Sequence, residues 1–298
     1  MQIHQFSVSS SDNVQLCAYR YSAKSSAPAK IVLFSHANGF HGRSFDPVVA
    51  TLTEDYECVS FDLRGHGDSH VSPDWPLAWQ GYGDDALAIA KELSQPTIAV
   101  GHSMGGAALV MAALAEPKLF RALILYEPII FPSAIREIAS KNSSPSPLVE
   151  GARRRRKTFA TRADAFANYA SKPPMNEFDP RALHAFVDHG FRDVSDHIEL
   201  KCEPEHEARN FEMGAVHETW DQLKDLRVPT WVVSGAKHVG QPSGFASTIA
   251  EQIANSHFVE WQDLGHFGPM QQPERLAELI REVDDLTSAN TLRRTPRA

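Results

Sequence analysis

The stretch Thr97-Ile98-Ala99-Val100-Gly101-His102-Ser103-Met104-Gly105-Gly106-Ala107-Ala108-Leu109-Val110 reads as a short apolar strand, a glycine-bearing turn and a small-residue helix. Ser103 occupies the turn in the pattern Gly-x-Ser-x-Gly. That spacing is a nucleophile elbow, a sharp strand-to-helix turn that lifts a serine hydroxyl clear of a sheet. Gly101 and Gly105 sit where side chains would collide with the neighbouring strand and helix. The helix start adds backbone N–H groups and the positive end of a dipole, both suited to a developing oxyanion. The pattern also recurs by chance in small-residue loops, so its surroundings decide.

Those surroundings alternate strand and helix. Residues 3–21 alternate polar and apolar in two runs around Ser11-Asp12-Asn13, an antiparallel hairpin at a sheet edge. Lys30-Ile31-Val32-Leu33-Phe34 and Glu57-Cys58-Val59-Ser60-Phe61-Asp62 are continuous apolar runs of buried parallel strands, with a helical segment near 44–54 between them. Helix 78–94, the elbow strand 97–100, its helix 104–115 and the strand Ala122-Leu123-Ile124-Leu125-Tyr126 continue the alternation. It resumes at Thr230-Trp231-Val232-Val233-Ser234 and ends with helix 243–254, strand 257–261 and helix 273–287. This predicts an α/β fold, a parallel sheet covered on both faces. Residues 132–216 interrupt it with helical patterns and no buried parallel strand, broken at Ser143-Ser144-Pro145-Ser146-Pro147 and Lys172-Pro173-Pro174. They read as a helical lid without strands of its own, between core segments 1–131 and 217–298. The tail 288–298 is polar and is expected to be loose.

Composition narrows the class. A chain of 298 residues with 42% hydrophobic content can bury one large core, and a net charge of −8 argues against nucleic acid as the main partner. No apolar run reaches the ~18 residues of a membrane span. The polar start Met1-Gln2-Ile3-His4 is unlike a signal peptide, and Pro296-Arg297-Ala298 carries no peroxisomal or retention signal. Cys17, Cys58 and Cys202 are scattered without metal spacing, as expected of reduced thiols in a cytoplasmic enzyme.

A serine at an elbow needs a base. Of fourteen histidines, His266 stands out, in Asp263-Leu264-Gly265-His266-Phe267-Gly268-Pro269 just after the last strand. Loops leaving strand carboxyl ends gather at one sheet edge, where His266 and Ser103 can meet. Four segments then occur in a familiar order: Ser35-His36-Ala37-Asn38-Gly39, Asp62-Leu63-Arg64-Gly65-His66-Gly67-Asp68-Ser69, Gly101-His102-Ser103-Met104-Gly105-Gly106 and Gly265-His266-Phe267. With them nearly the whole chain resembles the α/β-hydrolase fold family. The resemblance implies a mostly parallel twisted sheet with helices on both faces and an inserted helical cap. It also implies an oxyanion hole from the N–H groups of Asn38 (or, one step earlier, Ala37) and Met104. The Asp62–Ser69 segment is a structural turn whose Asp and Arg tie the loop to the sheet, so His66 and Asp68 stay outside the catalytic set.

The third catalytic group departs from the family pattern. The family most often places an Asp in the loop after the next-to-last strand, but here that loop reads Ser234-Gly235-Ala236-Lys237-His238. His238 cannot supply the fixed negative charge that holds the base's tautomer. Glu127, directly after the strand ending at Tyr126, fills the role, a placement similar to that in haloalkane dehalogenases and a fungal-type lactonase; Asp263 is the reserve. Ser103, where dehalogenases carry Asp, excludes halide displacement and Asp-dependent epoxide opening.

Two features of the insertion invite other readings. Arg153-Arg154-Arg155-Arg156-Lys157 is expected to be a solvated face of an amphipathic helix, with a contact to an anionic substrate group as the lesser reading. Cys202-Glu203-Pro204-Glu205-His206-Glu207 is expected to be a Glu-rich helix N-terminus, its spacing matching no zinc pattern. The aromatic residues Phe131, Phe159, Phe166, Tyr169, Phe186, Phe191, Phe211 and Trp220 suit an apolar pocket roof, most of them as core. Substrate contacts are assigned to His102, Phe131, Trp220, His238 and Phe267. The expectation is a serine hydrolase acting on an ester or lactone of a small apolar substrate, with no cofactor or metal and no nucleic-acid or membrane partner, and with a homodimer open to it. Carbon–carbon bond hydrolysis or cofactor-free peroxidase or lyase chemistry on the same residues is the rival within enzymology. A catalytically weak ligand receptor is the rival outside it.

Overall fold

The computed structural model describes residues 2–25, 29–72, 74–141, 146–238 and 240–294. The chain opens with the hairpin β1 (Ile3–Ser9) and β2 (Gln15–Tyr21). Asp12 and Asn13 turn it with positive φ, as the residue types most tolerant of that backbone. Then follow β3 (Lys30–Ser35), α1 (Asp46–Leu52), β4 (Tyr56–Phe61), α2 (Gln80–Lys91), β5 (Thr97–His102), α3 (Met104–Ala115) and β6 (Phe120–Tyr126). The insertion holds α4 (Ser133–Lys141), α5 (Pro147–Arg153), β7 (Thr158–Phe159), α6 (Arg162–Ala170), α7 (Pro180–Gly190), β8 (Phe191–Val194), β9 (His197–Leu200), α8 (Pro204–Met213) and α9 (Thr219–Gln222). The chain closes with β10 (Thr230–Ser234), α10 (Ser243–Gln252), β11 (Ser256–Glu260), α11 (Gly268–Gln271) and α12 (Pro273–Arg294).

Eight strands form one sheet in the order β1-β2-β4-β3-β5-β6-β10-β11. β1 pairs antiparallel with β2 and β2 with β4, while all later neighbours are parallel. Successive residues of a strand point to opposite faces. Ile31 and Leu33 accordingly join a core with Tyr82, Ile89 and Leu109 of α2 and α3, while Val32 and Phe34 join one with Leu276 and Ile280 of α12. The chain's direction across the sheet reverses between β3 and β5, so the loops leaving these two strands flank a crevice, the usual ligand position in open α/β sheets. α3 is buried from Met104 through Ala113, which explains a helix apolar all round.

Three expectations change. The insertion has strands of its own, a small antiparallel sheet in the order β7-β9-β8. These strands have two to four residues and carry charged side chains such as Arg192, Asp193 and Glu199, so no continuous apolar run announced them. The tail is helical through Arg294, anchored upstream by Asp284, which binds Lys30, Arg121 and Tyr56. The rest of the tail, 295–298, lies outside the described residues, as does the Ser143-Ser144-Pro145 part of the first breaker; Ser146 caps α5 through the Val149 amide.

The basic block is the third. α5 ends at Arg153, and alternate residues of the block turn toward α8 and the residue before it, while Arg154 and Arg156 stay exposed as expected. Arg153 pairs with Glu205 and Glu212, Arg155 with Glu207 and Lys157 with Glu203. The two features singled out in the insertion are thus each other's partners, with alternate residues of one meeting alternate residues of the other. Most of the insertion's aromatics are core, as expected: Phe159, Tyr169, Phe186 and Phe191 pack on one another.

The turn after β4 is knotted from within. Asp62 accepts the amides of Gly42 (2.7 Å) and Asp68 (2.8 Å) and the hydroxyl of Tyr19 (2.9 Å). Arg64, fully buried, pairs with Asp85 of α2 at 2.7 Å and reaches Asp12 in the hairpin turn at 2.8 Å. Both residues tie the loop as expected, although Arg64 ties it to α2 and the hairpin turn.

Buried imidazoles recur around this frame. Burial lowers His36, His206 and His217 to about 4 and holds His41, His66 and His102 well below the ordinary range. Unfolding releases them to titrate near 6.5, so between pH 6.5 and 4 the unfolded chain binds more protons at these sites and stability is lost as pH falls. Asp62, raised to about 6 by burial, and Asp85, also raised, work in the opposite direction but are fewer. Thermal unfolding followed from pH 7.5 to 5 is expected to show a falling midpoint; a flat profile would contradict this account. A Cβ on Gly105 would lie 2.2 Å from the carbonyl oxygen of Ser35. Gly105→Ala is therefore expected to lower the unfolding free energy in urea by about 2 kcal/mol or more, the cost of overpacking against backbone.

Candidate active site

β5 delivers Ser103 at the crevice with φ 56° and ψ −117°, a backbone region costly for a side-chain-bearing residue. Its neighbours hold it there. The Ser103 amide donates to Tyr126 O at 2.9 Å, and its carbonyl accepts from Gly106 N at 3.0 Å and Ile129 N at 3.1 Å. The glycines work by close approach: a Cβ at 101 would lie 2.6 Å from Gly106 Cα, and one at 105 would strike the end of β3.

Glu127 ends the neighbouring strand, also at positive φ (43°), with its amide donating to Val233 O at 2.8 Å. Its buried carboxylate spans two loops. Oε1 accepts the Gly235 amide after β10 at 2.8 Å, and Oε2 lies 2.6 Å from Nδ1 of His266 in the loop after β11. A carboxylate on Nδ1 fixes that nitrogen as the protonated one and leaves Nε2 as the basic face of the ring. The His266 loop is pinned by three side chains. His102 Nε2 donates to His266 O at 2.8 Å, Tyr126 Oη to Gly265 O at 2.7 Å, and Gln271 Oε1 accepts the Gly265 amide at 2.9 Å. The reserve acid Asp263 is committed elsewhere, on Arg275 of α12 at 2.7 Å.

The loop after β3 lies across the crevice. The Leu63 amide donates to His36 Nε2 at 2.9 Å, and His36 Nδ1 donates to Ala37 O at 2.8 Å, so this buried neutral ring clamps the loop to the turn after β4. Among the described residues, the amides of Asn38 and Met104 meet no protein acceptor. The Asn38 side chain turns away toward α8, with Nδ2 donating to Glu207 O at 2.9 Å.

The residues assigned to substrate contact fall in different places. His102 and Phe267 lie beside His266, with ring centroids 5.0 and 5.1 Å from its own. Phe131 packs on Phe245 of α10, Trp220 packs against the core under α2 and α3, and His238 is exposed with its amide on Ser243. The ring packed on both His102 and Phe267 is instead Phe40, with Phe178 against Phe40 and Phe267 and Phe186 behind Phe40. Phe40 and Phe178 were missed, the first because it follows the glycine of a loop, the second because it sits between insertion helices. His66, set aside as part of a turn, lies 3.1 Å from Asn38 Oδ1 through Nε2. Away from the crevice, Cys17, Asp62 and Asp68 hold one ligand atom each within 4.8 Å of one another. Burial pushes the Cys17 thiol up to about 11, and Asp62 is already filled by two amides and a hydroxyl, which makes this group part of the turn's knot.

Among the described residues no helix is long and apolar enough to cross a membrane. The chain is 29% identical over 130 residues to the 2-(acetamidomethylene)succinate hydrolase of Mesorhizobium japonicum, a match spanning 43% of this chain and 46% of that enzyme. It is 26% identical over 262 residues to an esterase of Mycobacterium tuberculosis, covering 85% of this chain and 82% of the esterase. The solved peroxisomal alpha-beta-hydrolase Lpx1 of Saccharomyces cerevisiae superposes with a TM-score of 0.78 at 19% identity, over 100% of this chain and 91% of that one. Residues 32–279 match the alpha/beta hydrolase family, and the chain belongs to it.

Proposed function

We propose that the protein is a serine hydrolase that cleaves the carboxylic ester or lactone bond of a small apolar substrate through an acyl-enzyme. The observation carrying this reading is the 2.6 Å contact between Glu127 Oε2 and His266 Nδ1, made by a buried carboxylate that the Gly235 amide also holds. In the proposed reaction His266 Nε2 takes the Ser103 proton as Oγ attacks the acyl carbonyl. The amides of Asn38 and Met104 receive the oxyanion, and the tetrahedral adduct collapses as His266 returns the proton to the leaving oxygen. Water, activated by the same ring, then releases the acid. Glu127 stays ionised throughout, orienting the ring and steadying its charged form. Fixed donors of this kind are worth about 10²–10³ each in turnover because they need no reorganisation as charge develops.

The segment 132–216 acts in this scheme as a cap. The rings of Phe40 and Phe267 beside His102, with Phe178 and Phe186 packed on Phe40, favour an apolar acyl or alcohol group. Three free, buried cysteines fit a reducing, cytoplasmic setting. The relative named for 2-(acetamidomethylene)succinate hydrolysis widens the useful panel beyond esters.

The test is turnover of aryl esters, lactones, an enamide and a ring-fission diketone by wild type and Ser103→Ala. Wild type is expected to prefer an ester or lactone and Ser103→Ala to lose about 10³-fold or more in kcat/KM. Activity at full strength in Ser103→Ala would remove the mechanism, and a preference for the diketone would move the protein to carbon–carbon bond hydrolysis.

A further inference from the structure

The side chain of Asn38 is bound on every side by groups that have no part in the reaction just described. Its Nδ2 donates to Glu207 O at 2.9 Å, its Oδ1 accepts from Asn210 Nδ2 at 3.0 Å, and the same oxygen lies 3.1 Å from His66 Nε2. The carboxamide thus has a donor and an acceptor position each filled from α8, with the His66 ring packed against its oxygen. Asn210 is itself oriented, since Tyr82 Oη donates to its Oδ1 at 2.6 Å, which leaves the amide nitrogen to face Asn38. Asn38, His66, Tyr82 and Asn210 are all buried, the last three completely.

Two of the three partners, Glu207 and Asn210, belong to α8 of the insertion. The same segment holds the next residue as well. A Cβ at Gly39 would lie 2.6 Å from the Glu207 carboxylate and 3.1 Å from Arg155 Nη1. On the core side, the residues before Asn38 are clamped by His36. Asn38 is therefore gripped between the core and α8, and the grip is on the residue whose amide is proposed above to receive the oxyanion.

We propose that Asn210 is a positioning residue for the oxyanion donor, acting through the Asn38 carboxamide, so that α8 forms part of the catalytic apparatus as well as a cover over it. This rests on the serine-hydrolase reading and deepens it. The stabilisation offered by an amide depends on where it points when the carbonyl oxygen becomes charged, and a displacement of about 1 Å can cost 10²-fold in rate. Loss of the grip should therefore appear in the chemical step, with ground-state binding spared. It follows that α8 cannot lift away as an entry gate without dissolving the oxyanion loop beneath it.

The test measures kcat and KM for p-nitrophenyl acetate in wild type, Asn210→Ala, Asn38→Ala and the double variant. Asn210→Asp keeps the acceptor for Tyr82 but cannot donate to Asn38, and it serves if the alanine variant does not fold. Arg153→Ala is the control, since it releases α8 from α5 on the outer side without touching Asn38. The expected result is a fall in kcat of about tenfold in each single variant with KM within about twofold, and a double variant no worse than the poorer single one. Arg153→Ala should keep wild-type kcat. A rise in KM with kcat unchanged, multiplicative losses in the double variant, or an equal loss in Arg153→Ala would overturn the proposal. Wild-type turnover that survives Ser103→Ala would remove the underlying reading too, whereas turnover that needs Ser103 but is indifferent to Asn210 would remove this inference alone.

Discussion

The site depends on one carboxylate. Glu127 stands where β6 ends, and its two oxygens reach the loop after β10 and the loop after β11. It thereby joins three neighbouring strand ends at the edge where β5 delivers Ser103. A buried carboxylate needs such partners, because an unpaired charge there would be expelled or neutralised. The backbone bears the cost: Ser103 and Glu127 both adopt positive φ on adjacent strands, and the Ser103 amide is bonded to the carbonyl of Tyr126, the residue before Glu127. Strain of this kind persists only where the surroundings over-determine it, and here a parallel pairing on each side of β6 does so.

A second constraint is the sandwiching of the loop after β3. The core holds it through His36, and the insertion holds it through Asn210 and Glu207. The ion pairs between the basic block and α8 fix that helix against α5, with Arg155 also packed over Tyr169 and Phe186. Exposed pairs of this sort contribute little one by one. The buried Arg155–Glu207 pair lies directly against Gly39 and shapes the loop by occupying space.

Much of the fold was legible in the letters because buried parallel strands are written as uninterrupted apolar runs, as at Ile31–Phe34 and Leu123–Tyr126. The elbow was legible because its glycines answer a steric need that local sequence reveals. The contact between Glu127 and His266 could be anticipated only indirectly, from a missing acid after β10 together with a carboxylate at the end of the adjacent strand. The short strands β7, β8 and β9 left no such trace, since their stability comes from pairing with distant partners rather than from a local apolar pattern. The same holds for Arg153, Arg155 and Lys157: each reads as a solvated charge until Glu205, Glu207 and Glu203 are brought against it. His66 was placed correctly in a turn, but its contact with Asn38 crosses between two strand ends and has no local signature.

The most direct measurement of the central claim is the rate of fluorophosphonate labelling of wild type and Glu127→Gln, with mass spectrometry to place the adduct. Glutamine keeps the shape but removes the charge that fixes the His266 tautomer, and loss of the equivalent group in a Ser-His-Asp enzyme costs about 10⁴-fold in turnover. The account predicts rapid labelling of wild type at Ser103 and a collapse of that rate in a folded Glu127→Gln protein. Labelling at the wild-type rate in Glu127→Gln would contradict it, as would a folded wild-type protein that takes no adduct at Ser103.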